Sequence, residues 1–296
     1  MISPGDRHAY LIIAHRDDLC FRTLLTLLDD ARNDIFIHMD SKNKAYDQLS
    51  VNHWLSHSGV YHLRRRSVTW GSRSQMDVEI ALLEAATNQG HYAYYHLLSG
   101  QDLPLKSQDF IHSFFENHAG KEFVRFQDPV FRFDDRVRQY HLFQDYLGRR
   151  WFEFRWNKKL LSRQKRMGIW RHRNLSFQKG TNWFSITDAL ARYIVSKKRW
   201  LKRTYRFTLC CDEVFVQSLI LNTPFMGNLY HPHMDNDVHA IMRLIDWNRG
   251  DPYVFKCDDY EELASSDLLF ARKFDSKVDS AIIERVRDSV LIMGQR

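Results

Sequence analysis

The chain has 296 residues, 44% of them hydrophobic and 27% charged, with a formal net charge of +7. That length suffices for one large α/β domain or two modest ones, and 12 Gly with 6 Pro exclude collagen-like and low-complexity classes. Four scattered cysteines (Cys20, Cys210, Cys211, Cys257) exclude a disulfide framework, the lack of a C-x-x-C pair argues against a cysteine zinc site, and no stretch approaches membrane-spanning length. Tyr10–Ala14 (YLIIA) reads as a buried strand, Leu19–Leu28 carries helical spacing, and Ile35–Met39 (IFIHM) is again strand-like. Between Arg73 and Ala86, Met76, Ile80 and Leu83 share one helical face. Tyr92–Leu98 reads as a strand ending in a turn, SGQDLPL. This alternation predicts a right-handed parallel sheet, with ligands outside the carboxyl ends of its strands. His15, Asp40 and Asp102 each follow a predicted strand there, which makes all three site candidates.

From Phe131 to Arg173 the character changes, and WFEFRWNKKLLSRQKRMGIWRHR mixes tryptophans with Lys and Arg. The plain reading is a solvated amphipathic helix or loop. The sharper one is an insertion, its basic stretch at 155–173, that contacts an acidic acceptor or a membrane surface. Further on, a strand is expected near Asn182–Ile186, helices after Thr187 and Asp212, and a last helix from about Val278. The N-terminus, MISPGDRHAY, lacks a charged-then-apolar leader pattern, and the expected location is the cytoplasm.

No dinucleotide fingerprint, Walker loop or G-x-S-x-G occurs. HPHMDND (His231–Asp237) is the strongest metal candidate on residue type, since His231, His233, Asp235 and Asp237 would share one face if extended. Pro232 and the Asp-Asn-Asp cluster equally make an ordinary turn. In CCDEVFVQSL a helix is expected to start at the carboxylates, with Asp212 as N-cap and Glu213 in the first turn. Either both acids cap, or Asp212 caps while Glu213 points into a cleft as a general base. In LLFARKFDSKVD, Arg272 and Lys273 suit a phosphate; on spacing, an ion pair with Asp275 or Asp279 is just as consistent.

Seven segments, AYLIIAHRD, IFIHMDSK, VTWGSRSQ, YYHLLSGQDLPLK, KGTNWFSIT, DEVFVQSLI and LFARKFD, run in this order from residue 9 to residue 275. Together they resemble the core-2/I-branching β-1,6-N-acetylglucosaminyltransferases and peptide O-xylosyltransferases, with only the stretch around 131–173 lacking a clear counterpart. The resemblance implies a GT-A-like glycosyltransferase fold: one α/β catalytic domain over 1–296, a mostly parallel Rossmann-like sheet flanked by helices, and the basic aromatic insert at about 131–173. It implies a UDP-sugar donor, inversion at the anomeric carbon and no metal cofactor. In keeping with that, His38-Met39-Asp40 offers a single carboxylate where metal-using relatives carry Asp-x-Asp.

Carried over position by position, Glu213 is the catalytic base, Lys273 a diphosphate ligand, and Trp247 lines the acceptor side. Asp40 lies by the uridine, and Asp102 near the donor, on the side where His15 is expected. A second phosphate cation has no clean match, and Arg249 and Arg272 both remain candidates. The lack of the membrane-spanning anchor and cysteine framework of the secretory-pathway members leads to the expectation of a bacterial enzyme that transfers GlcNAc to a saccharide or lipid-linked saccharide in surface-polysaccharide or lipopolysaccharide assembly, at the inner face of the cell membrane. The alternatives are a UDP-xylose-dependent enzyme of the same fold and a basic nucleic-acid-binding module, the latter without any recognised binding motif.

Overall fold

Why the first hundred residues alternate between two periods is visible in the sheet they build. A computed structural model describes residues 6–130, 133–144 and 151–294, with the side chains of 151–155 outside that description. The strands are β1 (His8–Ala14), β2 (Asn33–Met39), β3 (Gly59–His62), β4 (Tyr94–Ser99), β5 (Asp102–Pro104), β6 (Phe123–Phe126), β7 (Gly180–Thr187), β8 (Arg243–Ile245) and β9 (Phe270–Arg272). The α-helices are α1 (Leu19–Leu28), α2 (Gln48–His53), α3 (Arg73–Gln89), α4 (Gln108–Asn117), α5 (Asp134–Arg138), α6 (Trp151–Arg166), α7 (Asp188–Ser196), α8 (Lys198–Thr204), α9 (Phe215–Ile220), α10 (Tyr260–Ser265) and α11 (Ser280–Met293).

Six strands form the main sheet in the order β3-β2-β1-β4-β7-β6. β1 to β4 run parallel, and β7 is antiparallel to both its neighbours. A small second sheet has the order β5-β9-β8. Side chains alternate across the main sheet as the two-residue pleat requires. Tyr10, Ile12, Ile35, Ile37, Tyr94 and Leu98 pack on one face under α1, α4 and α11. Ala9, Leu11, Phe36, Tyr95 and Leu97 pack on the other under α3, α7 and α9. Helices on both faces explain why these strands read as continuous apolar runs. Side-chain caps start the principal helices: Asp18 accepts from Phe21 N, Ser107 from Phe110 N, Thr187 from Leu190 N and Asp279 from Ile282 N.

Two expectations need correction. SGQDLPL is a turn only at Gly100 and Gln101, because Asp102, Leu103 and Pro104 pair with Arg272, Ala271 and Phe270 to form β5 and β9. No helix starts at Asp212, as described below.

A polar layer lies within the apolar face. The rings of His8 and His96 meet at 3.1 Å, His96 reaches Ser185 Oγ at 2.8 Å, and His112 reaches Asn33 Oδ1 at 2.9 Å. Burial holds His8 and His96 well below the ordinary imidazole value and His112 near about 4. Beside them Arg243, fully buried, closes the gap between the two sheets. The β4–β7 ladder ends at the His96–Ser185 pair. The next two carbonyls, Leu97 O and Phe184 O, accept from Arg243 Nη2 at 3.2 and 2.7 Å, while Nη1 donates to Ile241 O at 2.8 Å. Arg243→Met keeps the stem but strands these carbonyls, and should cost about 2–4 kcal/mol in urea unfolding; a loss under about 1 kcal/mol would show that water replaces the guanidinium.

Candidate active site

Beyond the point where Arg243 takes over, β4 and β7 no longer pair, and a cavity of about 1320 Å³ opens there. Its walls are the carboxyl ends of β1, β2 and β4, the start of the antiparallel β7, and the turn holding Asp212 and Glu213. His15, Asp40, Glu213, Trp247 and Arg272 all line it.

One wall is cationic. Arg272 lies over the Trp183 ring at 4.4 Å and binds Asp102 Oδ1 at 2.5 Å, with Ser99 Oγ also accepting. Asp102 is itself buried behind this pair and accepts from Ser99 N and Oγ at 2.9 Å each. Its place in the site is therefore to hold Arg272, rather than to line the cavity. Arg16 lines the same cavity, between Asp18 at 3.1 Å and Asp275 at 3.0 Å, and Lys277 joins them. Lys273 is not among the lining residues; its side chain is half-buried, and desolvation followed by the Arg272 charge lowers its pKa. Arg249 stands away from the lining and binds Asp246, Asp259 (2.6 Å) and Glu262 (2.7 Å) while stacking on Tyr253 at 4.3 Å. With three carboxylates on it, Arg249 anchors the loop, and of the two arginine candidates Arg272 is the one in the cavity.

The turn after Cys210 brings two further carboxylates to the lining. Cys210 takes a left-handed backbone with φ of 47°, and Cys211–Glu213 make one 3-10 turn. The helix α9 starts only at Phe215, without a side-chain cap, so Asp212 caps nothing and Glu213 is not in a first helical turn. The buried Asp212 side chain instead accepts from Gln75 Nε2 at 3.1 Å, with Oδ1 unpartnered. Burial first, then the Glu213 charge, raises its pKa to about 7, and the fully buried Glu79 behind it is raised well above the ordinary range by burial and Asp212. Glu213 is held through one oxygen: Oε2 accepts from Arg136 Nη1 at 2.6 Å and lies 3.2 Å from Lys179 Nζ. Arg136 comes from α5 and Lys179 from the approach to β7, so residues far apart in sequence fix one carboxylate.

Asp40 is nearly buried and ties two loops, accepting from Lys42 N at 2.8 Å and Val68 N at 3.2 Å. Trp247 and Trp70 are exposed on the cavity lining, as broad apolar faces beside polar groups. His231, Asp235 and Asp237 do converge, with candidate ligand atoms within 4.8 Å of one another. None of the three lines the cavity, and His231 and Asp235 already pair at 2.9 Å.

Of the basic aromatic stretch at 131–173, residues 131–132 and 145–150 and the side chains of 151–155 lie outside the described residues. The remainder packs on the body: Arg171 Nη1 donates to Phe207 O, Arg171 Nη2 to Thr204 O, and Leu209 N to Arg136 O. Among the described residues no helix is long and apolar enough to cross a membrane.

The model of the Core-2/I-branching enzyme family matches residues 8–268. The chain belongs to that family. Xylosyltransferase oxt of Drosophila pseudoobscura pseudoobscura is 21% identical over 90% of this chain and 31% of its own length. Xylosyltransferase sqv-6 of Caenorhabditis elegans is 30% identical over 38% of this chain and 16% of its own length. The mouse β-1,3-galactosyl-O-glycosyl-glycoprotein β-1,6-N-acetylglucosaminyltransferase 4 is 21% identical over 93% of this chain and 64% of its own. The chain thus spans about a third of the fly relative. Mouse xyloside xylosyltransferase 1 in its apo form aligns with a TM-score of 0.36 at 12% identity over 89% of this chain and 96% of that one, a likeness too loose to bear on the fold.

Sequence reasoning missed Arg16, Trp70, Trp183 and Lys179, although all four stand inside the quoted family segments. Arg136 had no such signal. The buried acid behind Glu213 has a measurable consequence. Asp212 in the fold keeps its proton to about pH 7, whereas the unfolded chain releases it near the ordinary value of 3.8. That proton stabilises the fold at low pH, and the contribution is lost as pH rises towards 7. Asp212→Asn should therefore be more stable than the parent by at least about 1 kcal/mol at pH 8, with the advantage vanishing towards pH 4. Urea unfolding at several pH values checks this, and a pH-independent difference would contradict the buried proton.

Proposed function

We propose that the protein is an inverting, metal-independent glycosyltransferase that moves a sugar, GlcNAc in the favoured reading, from a UDP-sugar to a hydroxyl of a saccharide acceptor. Family membership supports the reaction class. The observation that carries the mechanism is a carboxylate, Glu213, and a guanidinium, Arg272, lining one cavity.

An acceptor hydroxyl is a poor nucleophile until its proton is taken. Glu213 Oε1, which neither Arg136 nor Lys179 engages, accepts that proton as the hydroxyl oxygen bonds to the anomeric carbon. The bond from that carbon to the β-phosphate oxygen breaks, and UDP leaves with the electron pair. Arg272 faces the charge developing on the diphosphate, and Asp102 keeps the guanidinium in place. Arg16 and Lys277 add positive potential from the same wall, with Lys273 adjoining Arg272 in the chain. Fixed cations in this number suit a site that works without a divalent ion. Asp40 and His15 take the nucleoside end of the donor, and Trp247 offers a stacking face to the acceptor.

The acceptor in this reading is a saccharide, free or lipid-linked, in the assembly of bacterial surface polysaccharide or lipopolysaccharide. Four free cysteines suit a reducing cytoplasm, at the inner face of the membrane. A second donor, UDP-xylose, is favoured by the fly and nematode relatives, which are named xylosyltransferases. Release of UDP from a panel of UDP-sugars, with a saccharide acceptor, separates the two donors; no turnover with any of them would overturn the reading. Transfer should survive EDTA, and a strict metal requirement would redirect attention to His231, Asp235 and Asp237. Glu213→Gln should keep UDP affinity while turnover falls roughly a hundredfold to ten-thousandfold; undiminished turnover would remove Glu213 as the base.

A further inference from the structure

The positive charge of this chain is concentrated in one place. Residues 154–187 hold nine Lys and Arg and no Asp or Glu, which exceeds the net charge of +7, so the rest of the chain is net acidic. Within this stretch some cations are already engaged. Lys165 pairs with Asp135 at 2.5 Å, Lys179 lies against Glu213, and the buried Arg171 donates to the Gln139, Phe207 and Thr204 carbonyls. Lys159, Arg163, Arg166 and Arg173 are exposed, and none stands within ion-pair distance of a described carboxylate.

The same region is also unusually apolar at its surface. Tyr140, Leu142, Phe143, Trp156, Met167 and Trp170 are six of the fifteen exposed large apolar side chains among the described residues. Helical periodicity sorts the described part of α6. Asn157, Leu160, Leu161 and Gln164 turn inward or half-inward, and Gln164 bonds the Tyr140 backbone both ways, Tyr140 N donating at 2.8 Å and Tyr140 O accepting at 3.0 Å. Trp156, Leu160, Arg163 and Met167 follow each other at spacings of three and four along one stripe, with Lys159 and Arg166 at its flank. Lys159 Nζ lies 5.5 Å over the Trp156 ring, and Arg138 reaches the Trp170 ring at 5.8 Å. Solvent exposure of tryptophans with a basic flank is the pattern of a helix lying in a lipid headgroup layer, where rings bury and cations meet phosphates.

We infer that the face formed by residues 138–144 and 156–173 docks on an anionic lipid bilayer. Charge complementarity selects this occupant: four exposed cations without a described carboxylate partner would repel a basic partner and gain nothing from a neutral one, and the apolar stripe between them favours a surface with both phosphates and acyl chains over a wholly polar polyanion. The position also fits the site. Arg136, two residues before Arg138, holds Glu213, so the docked face lies next to the wall where an acceptor hydroxyl would meet the base. That last step rests on the glycosyl-transfer reading with a lipid-linked acceptor; docking itself does not.

The test is sedimentation of the full chain with vesicles of phosphatidylcholine alone or mixed with phosphatidylglycerol. Binding should require the anionic lipid and weaken as salt rises. Removing about 1 kcal/mol per cation, Lys159→Gln/Arg163→Gln/Arg166→Gln should weaken it roughly a hundredfold. Trp156→Ala should weaken it several-fold, while Lys121→Glu/Lys256→Glu, outside the stretch, should change it little. Equal binding to neutral vesicles, or undiminished binding by the triple variant, would overturn the inference. So would binding to RNA or dextran sulfate without binding to vesicles. UDP binding by the triple variant, read by thermal shift, separates the two readings. Loss of vesicle binding with UDP binding intact leaves glycosyl transfer standing, and vesicle binding by a parent chain that binds no UDP-sugar would sink glycosyl transfer alone.

Discussion

The arrangement turns on what happens where β4 and β7 part. Two strands that stop pairing leave carbonyls pointing at each other across a dry gap, which a fold tolerates only if donors are supplied. Arg243 supplies them, bonding both strands and the Ile241 carbonyl at once. The small sheet that carries it is thereby locked against the main one. Because β8 pairs with β9, and β9 with β5, the same lock sets where Arg272 and Asp102 stand. The cavity is the volume left by this controlled divergence.

Within it, each functional charge is held by an opposite one from another element. Arg272 is fixed by Asp102 and by the Trp183 face, and Glu213 by Arg136 and Lys179. Such pairs, only partly exposed, restrict the rotamers of long side chains and keep two charges of opposite sign fixed in one cavity. Behind the carboxylate wall, Asp212 and Glu79 carry raised pKa values because water cannot reach them.

Much of this was legible from residues alone where the signal was periodic. The apolar runs at Tyr10–Ala14 and Ile35–Met39 and the helical spacing of α1 and α3 correspond to the observed elements. Strands of three or four residues, such as β3, β8 and β9, have too little length to show a period. The turn reading of SGQDLPL holds at Gly100 and Gln101 and fails at Asp102–Pro104 for that reason, since only pairing with β9 makes β5. Asp212 was misread because an Asp before an apolar run looks like a cap, whereas the left-handed Cys210 carries the chain into a 3-10 turn that buries it. His15, Asp40, Glu213, Arg272 and Trp247 converge on the cavity, while Arg249 does not, because spacing could not reveal that Asp246, Asp259 and Glu262 surround it.

The sequence by itself determined the parallel run of strands near residues 10–14, 35–39 and 92–98, the family, and the concentration of positive charge between residues 154 and 187. These follow from periodicity, motif order and composition, which are local properties of the chain. Only the tertiary structure decided which arginine enters the cavity, that Asp102 supports rather than lines it, and that Arg136 reaches Glu213 across 77 positions. Contacts of that kind depend on how elements pack, and side-chain reach in space leaves no mark on spacing along the chain.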